Sequence, residues 1–139
     1  MFTLKGRDHM RIEKGSEWNI WDFHVHTPYS QLNTTFGIDL TRRDSEKDFD
    51  NYVRTLFTKA VHKGIVAIGI TDYFSIDGYK RIRQEYLSSP DKMKSLFPKD
   101  DLREQVMRIF VFPNIEFRLD TFVGETSHAV NYHVFFRTK

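Results

Sequence analysis

Apolar residues recur along this chain at two different spacings. Trp21, Phe23 and Val25 stand at every second position, with Asp22, His24 and His26 between them. A period of two predicts a strand over Trp21 to His26, with Trp21, Phe23 and Val25 turned towards a core and Asp22, His24 and His26 sharing the other face. Pro28 cannot continue a central strand, so the strand ends by about Thr27. From Ser45 the spacing changes to three and four. Phe49, Tyr52, Val53, Leu56, Phe57, Ala60 and Val61 form one helical stripe. Ser45, with Asp48 three residues on, reads as the start of that helix, and Gly64 as the residue just past its end. His62 falls in the last turn, where a surface position near the helix dipole is expected. Ile65 to Ile70 is a continuous apolar run, as in a parallel strand buried on both faces. Strand, helix and strand together predict a right-handed βαβ unit.

The pattern then becomes denser. Ser75 is placed to cap a second helix, in which Ile76, Tyr79, Ile82, Tyr86 and Leu87 keep the helical spacing. Lys80, Arg81 and Arg83 read as its solvated face. Short helices are expected from Pro90 to Phe97 and from Lys99 to Met107. Arg108 to Phe112 predicts a third strand, broken at Pro113 and Asn114 and resumed over Ile115 to Leu119. Asp120 to Ala129, which holds His128, reads as a polar loop. Val130 to Phe136 reads as the last strand, with His133 near its middle. The stretch from Thr27 to about Asp44 is a loop long enough to lie over a site, and residues 1–15 form a polar lead-in.

Composition narrows this picture. With 139 residues, 40% apolar and 29% charged, the chain has the balance of a globular domain, at most one of them. Its 13 Phe, 6 Tyr and 2 Trp supply a core. A net charge of +2, from 21 basic and 19 acidic residues, does not by itself argue for nucleic-acid binding. There is no cysteine, hence no disulfide framework and no thiolate metal site, which fits a reducing cytoplasm. Met1 to Asn19 lacks the apolar stretch of a signal peptide, and no run approaches the ~18 apolar residues of a membrane span.

The candidate chemistry lies on or beside the strands: His24 and His26, Asp72, Glu116 and His133. Two imidazoles at one strand end can reach one ion. Each residue alone has a plain explanation: Asp72 as a turn cap, Glu116 as a surface strand residue, His133 as a core histidine. Their succession on consecutive elements favours a shared site at the C-terminal rim of the sheet, where α/β folds bind ligands.

His24-Val25-His26-Thr27-Pro28-Tyr29-Ser30 resembles the first motif of the PHP family, the polymerase and histidinol phosphatase superfamily. Gly69-Ile70-Thr71-Asp72-Tyr73 is similar to its second motif, Asn114-Ile115-Glu116 to its Gly-x-Glu third motif, and His133-Val134-Phe135-Phe136 to its later histidine strand. The resemblance spans Trp18 to the C-terminus. Ile68 to Phe74 and Phe112 to Arg118 look like the subgroup of large bacterial proteins in which a PHP domain precedes an AAA/SMC-like ATPase.

The resemblance implies the N-terminal half of a distorted (β/α)7 barrel of mostly parallel strands, over residues 16–139. It implies up to three divalent ions, zinc, manganese or iron, and hydrolysis of a phosphoester by metal-activated water. His24, His26, Glu116 and His133 would be metal ligands, with Asp72 and Tyr73 in catalytic positions. The substrate would be a phosphorylated small molecule or a nucleic-acid end, and an ATPase portion would follow in the full protein. Two departures stand out. Tyr73 replaces a histidine and is left two roles, a hydrogen bond to substrate phosphate or packing. The chain also stops at Lys139, before the family's last ligands, so a weakly metal-binding fragment prone to self-association is expected. The other reading is a non-catalytic module that binds nucleotide, nucleic acid or a partner domain. An amidohydrolase barrel also begins with His-x-His, but the short chain and the Thr-Asp-Tyr and Asn-Ile-Glu motifs argue against it.

Overall fold

The computed structural model describes residues 18–30, 45–123 and 126–136. The expected lead-in and most of the loop expected after Thr27 lie outside them. Among the described residues the order is β1 (Ile20–Val25), α1 (Glu46–His62), β2 (Ile65–Ile70), α2 (Asp77–Arg81), α3 (Pro90–Leu96), α4 (Asp100–Arg108), β3 (Phe110–Val123) and β4 (Thr126–Phe135). A π-helical stretch, Ile82–Leu87, carries α2 on towards α3.

α1 forms where its stripe predicts. Ser45 caps it, its hydroxyl accepting from the Asp48 amide at 3.4 Å, and Gly64 follows it at φ +67°, the left-handed conformation glycine adopts without strain. Phe49, Val53 and Phe57 are fully buried, and His62 is exposed. With Ile68, Ile70, Ile82, Tyr86, Met93, Phe97 and Val106 they fill the core between the helices and one face of the sheet. Each such side chain contributes about 1.5–3 kcal/mol by leaving water. Arg81 departs from the expected solvated face. Its guanidinium lies 4.3 Å from the centre of the Phe49 ring and donates to the Tyr29 hydroxyl at 3.1 Å, while Lys80 and Arg83 are exposed.

The fold is α/β, with a curled four-stranded mixed sheet in the order β1-β2-β3-β4. The expectation of mostly parallel strands is corrected here. β1, β2 and β3 are parallel, but β3 and β4 form a long antiparallel ladder from Asn114↔Phe135 to Val123↔Thr126. The stretch expected to be a loop, Asp120 to Ala129, supplies much of this hairpin. Thr121, Phe122, Val123, Thr126 and Val130 are strand-forming residues. The stretch reads as polar because Asp120, Thr121, Thr126, His128 and Ala129 are exposed rather than set against a core. Pro113 does not break β3. It pairs with Ile70 as the last residue on the β2 side, and the β4 ladder begins at Asn114. A proline has no N–H to offer a ladder, and at this handover its carbonyl still accepts from the Phe136 amide at 3.3 Å. No (β/α)7 barrel is present among the described residues.

β1 also departs from simple alternation. Asp22 pairs with Ile68 and Val25 with Ile70, so Phe23 and His24 together oppose Gly69. This is a β-bulge, and it shifts the facing of everything after it. Val25 packs on the core, whereas Trp21 and Phe23, expected to face the core, lie on the opposite face and are exposed. There Phe23 meets Phe112 and Phe135 edge-on, at 5.5 and 5.9 Å between ring centres. Trp21, Phe110 and Phe136 complete an apolar cleft of about 540 Å³.

The turn after β1 is latched to the end of β2. Thr27 donates from both its amide and its hydroxyl to the Asp72 carboxylate, at 2.6 Å each. Gly78 at the start of α2 packs on this latch, and a Cβ there would overlap Thr27 Oγ1 and Asp72 Oδ2. Gly78→Ala is therefore expected to cost about 1–3 kcal/mol, read as a lower denaturant midpoint with an unchanged m-value. An unaltered midpoint would show that the latch is loose.

Candidate metal centre

The bulge, the latch and the β3–β4 register bring four residues of the sequence-predicted site together. Glu116 lies in the middle of β3, not at its end. Its amide donates to the Asp72 carbonyl and its carbonyl accepts from the Phe74 amide, both at 3.2 Å. On the other side it stands directly opposite His133 on β4. Cross-strand partners share a face, so the Glu116 carboxylate and the His133 imidazole project together. His24 and His26 converge on the same point. Their Nε2 atoms are 3.0 Å apart, and each is 3.3 Å from Glu116 Oε2. The His24 and His133 rings lie 5.1 Å apart.

The electrostatics of this cluster call for a cation. Glu116 is fully buried, and neither of its carboxylate oxygens receives a hydrogen bond. A buried carboxylate without donors is costly. His26 does not relieve it as a cation. Burial first, then the neighbouring His24, with His133 adding, pushes His26 below the ordinary histidine range despite the pull of Glu116. At neutral pH His26 is the neutral base that ligates metals. The donor atoms of His24, Glu116 and His133 all lie within 4.8 Å of one another. Two ligands about 2.1 Å from a tetrahedral ion are about 3.4 Å apart, close to the 3.0 and 3.3 Å separations found here. One carboxylate and two imidazoles, from Glu116, His24 and His133, fit zinc, manganese or iron.

Supporting residues set the orientation of the ligands. Ser30 Oγ lies 3.0 Å from His26 Nδ1 and accepts from the Tyr73 amide at 3.3 Å. That hydroxyl ties the His26 ring to the Tyr73 backbone, with Nε2 turned to the cluster. Asn114 donates to the Phe23 carbonyl at 2.8 Å and to Thr71 Oγ1 at 3.0 Å, and approaches His133 Nδ1 at 3.3 Å. It thereby ties the bulge in β1 to β3 and steadies β4. Ser30, Thr71 and Asn114 carry no role in the sequence reading. Their small polar side chains reveal a function only once the neighbouring strands are in place.

Asp72 and Tyr73 occupy different positions from each other. Both hydrogen bonds of the Asp72 side chain go to Thr27. Tyr73 stacks on His26, with ring centres 5.0 Å apart and 16° between planes. Burial, and then the Glu116 carboxylate beside it, push the Tyr73 hydroxyl above its ordinary range, so it stays a neutral donor at pH 7. His128 is exposed on β4.

Burial raises the Asp72 carboxyl to about 6, against the lowering effect of its two bonds from Thr27, with Asp77 adding a smaller upward push. The folded chain then holds this proton more tightly than the unfolded one does. Stability from this group is full below about pH 4 and falls as pH rises to about 6. Asp72→Asn removes that slope. In chelator, the unfolding free energy of the variant relative to the parent is expected to rise between pH 4 and 6, by on the order of 3 kcal/mol, and then level off. A difference that stays flat with pH would contradict the raised value.

Comparison of this chain with protein-family models, with curated proteins and with solved structures finds no match.

Proposed function

We propose that this chain carries the metal centre of a PHP-like phosphoesterase, which hydrolyses a phosphoester with metal-activated water. The observation that carries the metal part is the buried Glu116 carboxylate, without a hydrogen-bond donor and faced by the Nε2 atoms of His24 and His26 at 3.3 Å. The reaction class rests on the resemblance of the His24-to-Ser30, Thr71-to-Tyr73 and Asn114-to-Glu116 motifs. In this reading the curled sheet is the part of a PHP-type barrel that the chain contributes, with the β3–β4 hairpin as its departure. An ATPase portion would belong to a longer protein, and the substrate would be a phosphorylated small molecule or a nucleic-acid end.

A divalent ion at such a site lowers the pKa of a bound water and polarises a phosphoryl oxygen. The residues of the chain do the rest. Ser30 fixes the His26 ring. Glu116 and His133, locked opposite each other, set the spacing of the donors. His24, about half exposed at its side chain, leaves the site open on one side. Tyr73 offers a neutral hydroxyl to a substrate oxygen. Asp72 keeps the turn after β1 against the end of β2. The competing reading, a non-catalytic module that binds nucleotide, nucleic acid or a partner domain, is favoured by one observation. Tyr73, in place of a family histidine, stacks flat on His26, where a further ligand would otherwise stand.

The test combines metal analysis, thermal unfolding and a screen of phosphomonoesters and phosphodiesters. Zinc or manganese at about 100 times its dissociation constant is expected to stabilise the protein by about 2.7 kcal/mol. Glu116→Gln should abolish that gain, yet leave the metal-free protein at least as stable as the parent, because a buried charge without a partner has been removed. His24→Ala should lower both metal content and any hydrolysis. Protein that gains no stability from zinc or manganese at any concentration tried would refute the metal centre. Metal binding without His24-dependent hydrolysis would favour the binding module.

A further inference from the structure

Beyond Glu116, the same face of β3 continues to Arg118. Successive residues of a strand alternate faces, so Asn114, Glu116 and Arg118 line one side in that order. Asn114 and Glu116 are buried and Arg118 is exposed, which places Arg118 at the open rim of the cluster. Its cross-strand partner is Asn131, two residues before His133 on β4. Among the described residues no carboxylate forms an ion pair with Arg118. Tyr73 bridges to Glu116 on the β2 side of β3, two residues before Arg118. An arginine and a tyrosine therefore flank the one carboxylate of the site.

The charge balance says what this rim would take. One carboxylate and neutral imidazoles leave a divalent ion with a net charge of about +1, and Arg118 adds another. The combination favours an anion with at least two negative charges. A guanidinium also presents a planar fork of N–H donors that matches two oxygens of one phosphate.

We propose that Arg118, with the Tyr73 hydroxyl beside it, is the oxyanion-positioning residue of the site and holds a terminal, doubly charged phosphate against the metal centre. The inference rests on the phosphoesterase reading and narrows it to phosphomonoesters. A phosphodiester, with one charge over two unesterified oxygens instead of two charges over three, would gain less from the same arginine.

The test uses the whole 139-residue chain and inorganic phosphate as probe. Manganese affinity and phosphate affinity are measured by calorimetry for the parent, Arg118→Ala and Arg118→Lys. The proposal expects Arg118→Ala to bind manganese within twofold of the parent and phosphate at least tenfold more weakly, with Arg118→Lys in between. Hydrolysis, where detected, should show a raised KM for phosphomonoesters and little change for phosphodiesters. Equal phosphate affinity in Arg118→Ala, or no phosphate binding by the manganese-loaded parent, overturns the role of Arg118 and leaves the metal centre standing. Failure of the parent to bind manganese overturns both.

Discussion

The constraint on which the rest of the structure turns is the burial of Glu116. A carboxylate removed from water with no donor on either oxygen represents several kcal/mol of desolvation that the protein does not recover internally. Three features hold it there. Its own backbone is bonded to the segment after β2, His133 stands opposite it on β4, and Asn114 two residues earlier is tied to both Phe23 and Thr71. Such a group persists only because the surrounding backbone is over-determined.

The neighbouring elements read as supports for that arrangement. The bulge at Phe23 and His24 allows His26 to follow a core-facing Val25 and still meet His24, with both imidazoles on Glu116. The Thr27–Asp72 latch keeps the end of β1 beside the end of β2, and Gly78 is the residue small enough to pack over it. Tyr52, from α1, donates to the His26 carbonyl at 2.9 Å and so connects the helical core to the ligand segment. Loosening any of these would move donor atoms by an ångström or more without touching the cluster itself.

The two faces of the sheet differ in consequence. One is filled by α1, the π-helical stretch, α3 and α4 and supplies the stability of the fold. The other presents Trp21, Phe23, Phe110, Phe135 and Phe136, exposed beside the polar cluster. Apolar residues on both faces explain why the strand sequences are so rich in aromatics. Among the described residues, no helix is long and apolar enough to cross a membrane.

Much of this was legible in the sequence, because its signals are local. The stripe from Phe49 to Val61, the Ser45 cap, Gly64 and the run from Ile65 to Ile70 each depend on neighbours a few residues away. The grouping of His24, His26, Glu116 and His133 as one candidate site was legible, since all four fall on or beside successive strands. Tertiary structure decided the rest. Periodicity alone could not place the bulge at Phe23 and His24, or show that Trp21 and Phe23 face away from the core, because both depend on how β1 pairs with β2. It could not show that polar Asp120 to Ala129 is a strand pair, because an exposed hairpin lacks a one-sided apolar pattern. It gave Arg81 to solvent, since only the folded chain brings Phe49 and Tyr29 beneath it. Asp72 and Glu116 looked alike as carboxylates after apolar strands. Thr27 supplies two hydrogen bonds to one, while the other faces the imidazoles of His24 and His26, and that difference exists only once β1, β2 and β3 lie side by side.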